Sequence, residues 1–224
     1  MSWIKEFQLF LFDLDGLLVN TEEIHFKAYQ RMFSLHGVEL KWDFDQYCRI
    51  SMYSSTGLRE QICMQYPDLL AKVSSWDILY AEKKQAVIDL LHEGAVHLMP
   101  GVYKFLSALQ DADVARCVVT HSTEEMVSAI RRKNPILDTI PKWIMRGNYT
   151  HPKPHPECYF KAINSIAKPA DKVIGFEDSP RGLRALMCTQ AKPVLVCDID
   201  YPEIPALVSE GVLHYRSFEE IPSG

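Results

Sequence analysis

Two aspartates one residue apart, Asp13 and Asp15, stand just before Gly16, where the apolar run 7–12 (FQLFLF) gives out. In an extended chain alternate side chains share a face, and a glycine then lets the backbone turn sharply. Both carboxylates can therefore look at one cation and one bound molecule. Mg²⁺ takes hard oxygen ligands and keeps part of its water shell, so one or two carboxylates plus a substrate phosphate are enough to hold it. A strand ending in an Asp-Gly turn is also an ordinary structural device. An EF-hand is excluded, because Gly16 follows the first acid too soon and Ile24 occupies the place of the closing glutamate.

Three later clusters could join this pair. Thr120, followed by His121 and Ser122, closes the run 114–120 ahead of a helix start, where a hydroxyl and helix-opening N–H groups can hold phosphate oxygens. A helix cap uses the same hydroxyl. Lys153 lies in Lys153-Pro154-His155-Pro156, where two prolines stiffen the backbone behind its ammonium, although a solvated surface lysine has the same appearance. Glu177 and Asp178 follow the run 173–176 and deliver carboxylates at another strand end, with helix capping by this segment as the alternative. His151 and His155 have the i, i+4 spacing of a helical metal pair, but the intervening prolines forbid a helix, so no zinc pair is expected.

The elements that must position these groups alternate along the chain. Short apolar runs at 7–12, 114–120, 142–145, 173–176 and 194–197 read as buried strands. Between them 126–132, 156–167 and 179–188 carry helix signals, the first behind a Ser122-Thr123-Glu124-Glu125 cap. This pattern predicts an α/β fold with a doubly wound, Rossmann-like parallel sheet. From about 22 to 93 the alternation stops and the patterning is helical, with 69–91 the clearest single helix. Residues 1–16 and 99–224 are thus expected to form the core, and 17–98 a small inserted α-helical cap with hinge linkers. Pro100-Gly101 would turn the chain back into the core.

The bulk properties agree with one such molecule of 224 residues, 47% hydrophobic and 24% charged. A formal net charge of −5 speaks against a nucleic-acid binder. Six cysteines without a C-x-x-C pair suggest neither a zinc site nor a disulfide framework, and fit a reducing cytoplasm. The N-terminal apolar run is too short to span a bilayer. The expected state is a cytoplasmic monomer with no membrane or nucleic-acid partner.

The order of these clusters, with "FDLDGLLVNTE", "KPHPECY" and "GFEDSPRGLRAL", resembles the haloacid dehalogenase superfamily, and most of all its β-phosphoglucomutase-like branch with a small helical cap. The resemblance implies Asp13 as nucleophile and Asp15 as general acid/base. It implies Thr120 and Lys153 as phosphate ligands, with His121 beside them, and Mg²⁺ held by Asp13, Asp15, Asp178 and Glu177. His25 matches a histidine at the start of the first cap helix that orients substrate or the acid/base residue; a lone partly buried histidine is the alternative. The cap loop that reads substrate is expected near Cys48-Arg49-Ile50-Ser51, where Arg49-Ile50 replace the Lys-Gly of a mutase. Arg49 can still hold an anionic group. Asn20 stands where an aspartate is common, a change expected to touch no mechanistic group. The resemblance therefore implies a Mg²⁺-dependent phosphatase acting through an aspartyl-phosphate on a small phosphorylated metabolite, a sugar phosphate or nucleotide-type monoester. A sugar phosphomutase, or a non-catalytic binding or regulatory protein, is the alternative.

Overall fold

The computed structural model describes residues 2–51, 57–73 and 75–222. The chain divides into two compact units, Met1–Asn20 with His97–Gly224, and Thr21–Val96.

In the discontinuous unit, β1 (Leu9–Phe12) is followed by Gly16 and the departure of the chain. After its return come α6 (Val102–Asp111), β2 (Ala115–Val119), α7 (Glu124–Lys133), β3 (Lys142–Ile144), α8 (Glu157–Ile166), β4 (Val173–Glu177), α9 (Pro180–Met187), β5 (Lys192–Val196), α10 (Ile204–Ser209) and β6 (Leu213–Tyr215). The Thr21–Val96 unit supplies α1 (Thr21–Leu35), α2 (Phe44–Ser51), α3 (Gly57–Gln65), α4 (Pro67–Lys72) and α5 (Trp76–His92).

The six strands form one parallel sheet in the order β3-β2-β1-β4-β5-β6. All four residues of β1 are buried, as a strand covered on both faces requires. Their side chains alternate. Phe10 and Phe12 join Phe105, Phe176 and Phe218 in an aromatic layer with ring centroids 5.1–6.5 Å apart. Leu9 and Leu11 pack on the other face with Cys117, Val119, Tyr159, Ala185 and Leu186. Gly175 in β4 lets α9 approach closely, since a Cβ there would meet Leu186 Cδ1 at 2.5 Å.

Parallel pairing aligns Phe12 with Val118 on one side and with Phe176 on the other. The strand order reverses direction across β1 and β4, which opens the crevice where ligands bind in such sheets. Asp13, Thr120 and Glu177 all stand at the carboxyl ends of these three strands.

At the chain crossings, Asn20 Oδ1 accepts from His97 N at 2.7 Å, and Asn20 N donates to His97 O at 3.1 Å. Asn20 thus fastens the outgoing segment to the returning one with no formal charge. Gly101 caps α6 at φ 81°, where a Cβ would also strike the backbone of Glu219 at 2.6 Å.

Three sequence expectations change. The single helix foreseen over 69–91 is two helices, because Ser75 is extended at φ −150° and its side chain accepts from Asp77 N, starting α5 afresh. The segment 48–51 foreseen as a loop belongs to α2. The Ser-Thr cap before α7 resolves to Thr123, whose side chain accepts from Met126 N. β6 had no expectation: its burial is only partial, so it lacks an apolar run. Among the described residues no helix is long and apolar enough to cross a membrane, and all six cysteines are free thiols.

Candidate active site

Asp13 leaves β1 with its N–H donating to Phe176 O at 3.0 Å, so the neighbouring strand fixes the first residue beyond the ladder. The residue is 7% exposed. Lys153 Nζ reaches it from the Lys-Pro loop at 2.5 Å, and also donates to Glu177 Oε1 at 2.7 Å and Val119 O at 2.9 Å. The ammonium is therefore no surface lysine. Glu177 further accepts from Tyr159 Oη, and its carboxylate lies over Gly182, where any Cβ would overlap it.

Burial is the main reason the Asp13 carboxyl is pushed up to about 8; Glu177 and Asp15 add to the rise and Lys153 opposes it. Burial alone would lower the Lys153 ammonium, but Asp13 and Glu177 together hold it well above its ordinary value. Carboxylate oxygens of Asp13, Glu177 and Asp178 lie within 4.8 Å of one another, all buried. Three acids, two of them paired with one lysine, leave excess negative charge, and their hard oxygens are donors that Mg²⁺ takes. Asp15 stands outside this group of three.

Asp15 is instead held from the β2 side. Thr120 Oγ1 and Ser122 Oγ donate to its Oδ2 at 2.7 and 2.8 Å. The hydroxyl foreseen as a phosphate ligand or cap thus orients the second aspartate, and it also accepts from Ser122 N at 2.9 Å. His121 Nε2 accepts from Lys153 N at 2.9 Å, tying the end of β2 to the lysine loop. Burial, then the positive charges of Lys153, Arg181 and Arg146, push His121 down to about 3. It is a neutral imidazole whose Nδ1 carries the proton.

Seven of the foreseen residues, Asp13, Asp15, Thr120, His121, Lys153, Glu177 and Asp178, therefore come together at the strand ends. His25 and Arg49 belong to the Thr21–Val96 unit. His25 is half-buried with Nδ1 2.8 Å from Lys83 Nζ, and desolvation followed by the lysine charge holds it well below its ordinary value. Arg49 is exposed in the last turn of α2. Sequence reasoning missed Ser122 and Tyr159. Ser122 is two residues from Thr120, the same spacing that singled out Asp13 and Asp15, and that periodicity was the available signal. Tyr159 had none, because its link to Glu177 depends on how α8 packs.

A family model described as haloacid dehalogenase-like hydrolase matches residues 10–196. Protein CbbY of Rhodobacter capsulatus is 26% identical over 85% of this chain and 85% of its own. Validoxylamine A 7'-phosphate phosphatase of Streptomyces hygroscopicus subsp. limoneus is 29% identical over 80% of each. The crystal structure of β-phosphoglucomutase from Clostridium difficile superposes with a TM-score of 0.71 at 19% identity, covering 97% of this chain and 94% of the other, a likeness of fold.

Proposed function

The chain belongs to the haloacid dehalogenase-like hydrolases, and from that premise we propose that it is a Mg²⁺-dependent phosphatase of small phosphorylated metabolites, with Asp13 as nucleophile. The observation that carries this reading is the Asp13 carboxylate, buried at the end of β1 against Lys153 Nζ, with Asp15 held separately by two hydroxyls. Similarity to validoxylamine A 7'-phosphate phosphatase supports a small phosphorylated metabolite as the substrate class.

An Asp13 oxygen attacks phosphorus, the bond from phosphorus to the ester oxygen breaks, and Asp15 delivers its proton to that leaving oxygen. Asp15 then takes a proton from water as the water oxygen attacks the aspartyl-phosphate. The bond between phosphorus and Asp13 breaks and inorganic phosphate departs. Thr120 and Ser122 direct Asp15 through both halves, since each hydroxyl donates to Oδ2 and holds the carboxyl in place. Lys153 neutralises charge beside Asp13 in a buried setting where such pairing is strong. Asp13, Asp178 and Glu177 would hold Mg²⁺, whose charge offsets that of the phosphoryl oxygens and of the acids themselves.

Phosphate release measured over a panel of sugar and nucleotide monophosphates with Mg²⁺ tests the assignment. Asp13→Asn is expected to abolish turnover while the far-ultraviolet circular dichroism stays that of wild type. No release from any substrate, or near wild-type release by the variant, would sink it. Arg49 is the proposed reader of an anionic substrate group, and Arg49→Ala is expected to raise KM several-fold with kcat little changed. An unaltered KM removes that residue from the assignment.

A further inference from the structure

His151, His155 and Glu157 cluster outside the carboxylate site, each offering one ligand atom, and these atoms lie within 4.8 Å of one another. Both imidazoles are exposed, with ring centroids 4.7 Å apart. Helical spacing, which the prolines rule out, is not what joins them. A turn does, in which His155 N donates to Pro152 O at 3.0 Å, and Glu157 follows as the first residue of α8.

The carboxylate is set in place beforehand. Glu157 Oε2 accepts from His151 N at 2.8 Å and Oε1 from Thr150 N at 3.0 Å. Those backbone donors hold the group well below the usual carboxylate range. His151 Nδ1 lies 2.8 Å from Glu157 Oε2, while His155 Nδ1 accepts from Glu157 N at 3.2 Å. These contacts brace the turn and the start of α8 by themselves, and they still set both exposed rings side by side next to the carboxylate.

We propose that His151, His155 and Glu157 form a second metal site, for a divalent transition ion of the zinc type with water completing its shell. Two imidazole nitrogens and one carboxylate oxygen are the donors such borderline ions take, whereas Mg²⁺ selects oxygen. Tetrahedral bonds of about 2.0–2.1 Å put donors roughly 3.3 Å apart, so no gap has to close by more than about 1.5 Å. Rotation of exposed side chains supplies that. If His151 binds through Nδ1, its proton passes through solvent to Nε2 of the same ring, and Glu157 is already ionised. The site brackets Lys153 at two residues on either side, so a bound ion stiffens the backbone that carries the counter-charge of Asp13.

Calorimetric titration of the intact protein with ZnCl₂, in saturating Mg²⁺, tests the assignment. Wild type and Asp178→Asn are expected to bind one Zn²⁺ with similar affinity, and His155→Ala and Glu157→Gln at least tenfold more weakly. His155→Ala loses only the exposed bond from Glu157 N, so it should still fold in chelator with a slightly lowered unfolding midpoint, and it decides the matter if Glu157→Gln does not fold. No binding by wild type, equal binding by wild type and His155→Ala, or loss confined to Asp178→Asn would overturn the proposal.

Discussion

Asp15 has two hydroxyls on one oxygen, from Thr120 and Ser122, and this arrangement fixes how the carboxyl is turned. Removing one donor should leave the fold intact and loosen that orientation. General acid/base catalysis is worth roughly 10²–10⁴-fold. Thr120→Val and Ser122→Ala are therefore each expected to lower kcat by about tenfold, and the double variant to approach the loss expected of Asp15→Asn. Steady-state kinetics check it; a changed KM with unchanged kcat would assign the hydroxyls to substrate binding alone. These roles were only half legible in the residues themselves. Acids at strand ends announce themselves by type and spacing, and so did Asp13, Asp15, Glu177 and Asp178. A hydroxyl can cap, bind phosphate or orient an acid, and only the 2.7 Å contact distinguishes these for Thr120.

At the scale of elements, the start of α9 sits against the end of β4. Gly182 N donates to Ser179 Oγ at 3.2 Å, which fixes the helix start, and the bare Cα of Gly182 leaves room for the Glu177 carboxylate. Glycine to alanine inside a helix usually stabilises. Here the sign should reverse, because a methyl group would displace the carboxylate that Lys153 and Tyr159 hold. Gly182→Ala is expected to cost about 1–3 kcal/mol, as overpacking does, and to lower kcat with it. Thermal melts and kinetics would show this, and a raised melting temperature would contradict it. Strands with unbroken apolar runs were readable, β1 above all. The break between α4 and α5 was hidden because a capping serine inside a helical pattern looks like any surface serine. β6 was hidden because an edge strand needs no buried face.

For the molecule as a whole, the acid cluster couples function to stability. Asp13 has its folded pKa raised from 3.8 to about 8, so between those values the native state binds more protons than the unfolded state. Stability must then fall as pH rises through that window. The effect is at most about 1.4 kcal/mol per pKa unit. In chelator, the melting temperature is expected to drop from pH 5 to pH 8, to drop less in Asp13→Asn, and to recover at pH 8 when Mg²⁺ is added. Equal slopes in wild type and variant would remove Asp13 as the cause.

The central strand is also the first made. Asp13 meets Lys153 across 140 positions, and Asp15 meets Thr120 across 105. At a synthesis rate of about 5–20 residues per second, roughly 7–28 s separate the nucleophile from its lysine. Until residues 115–119 are made β1 has neither β2 nor β4 beside it, while the whole Thr21–Val96 segment is being translated. A newborn chain would thus carry an apolar ribbon with two open edges, the geometry that invites pairing with other chains. Truncated nascent chains ending before β4 should be the ones most in need of a chaperone at the ribosome exit.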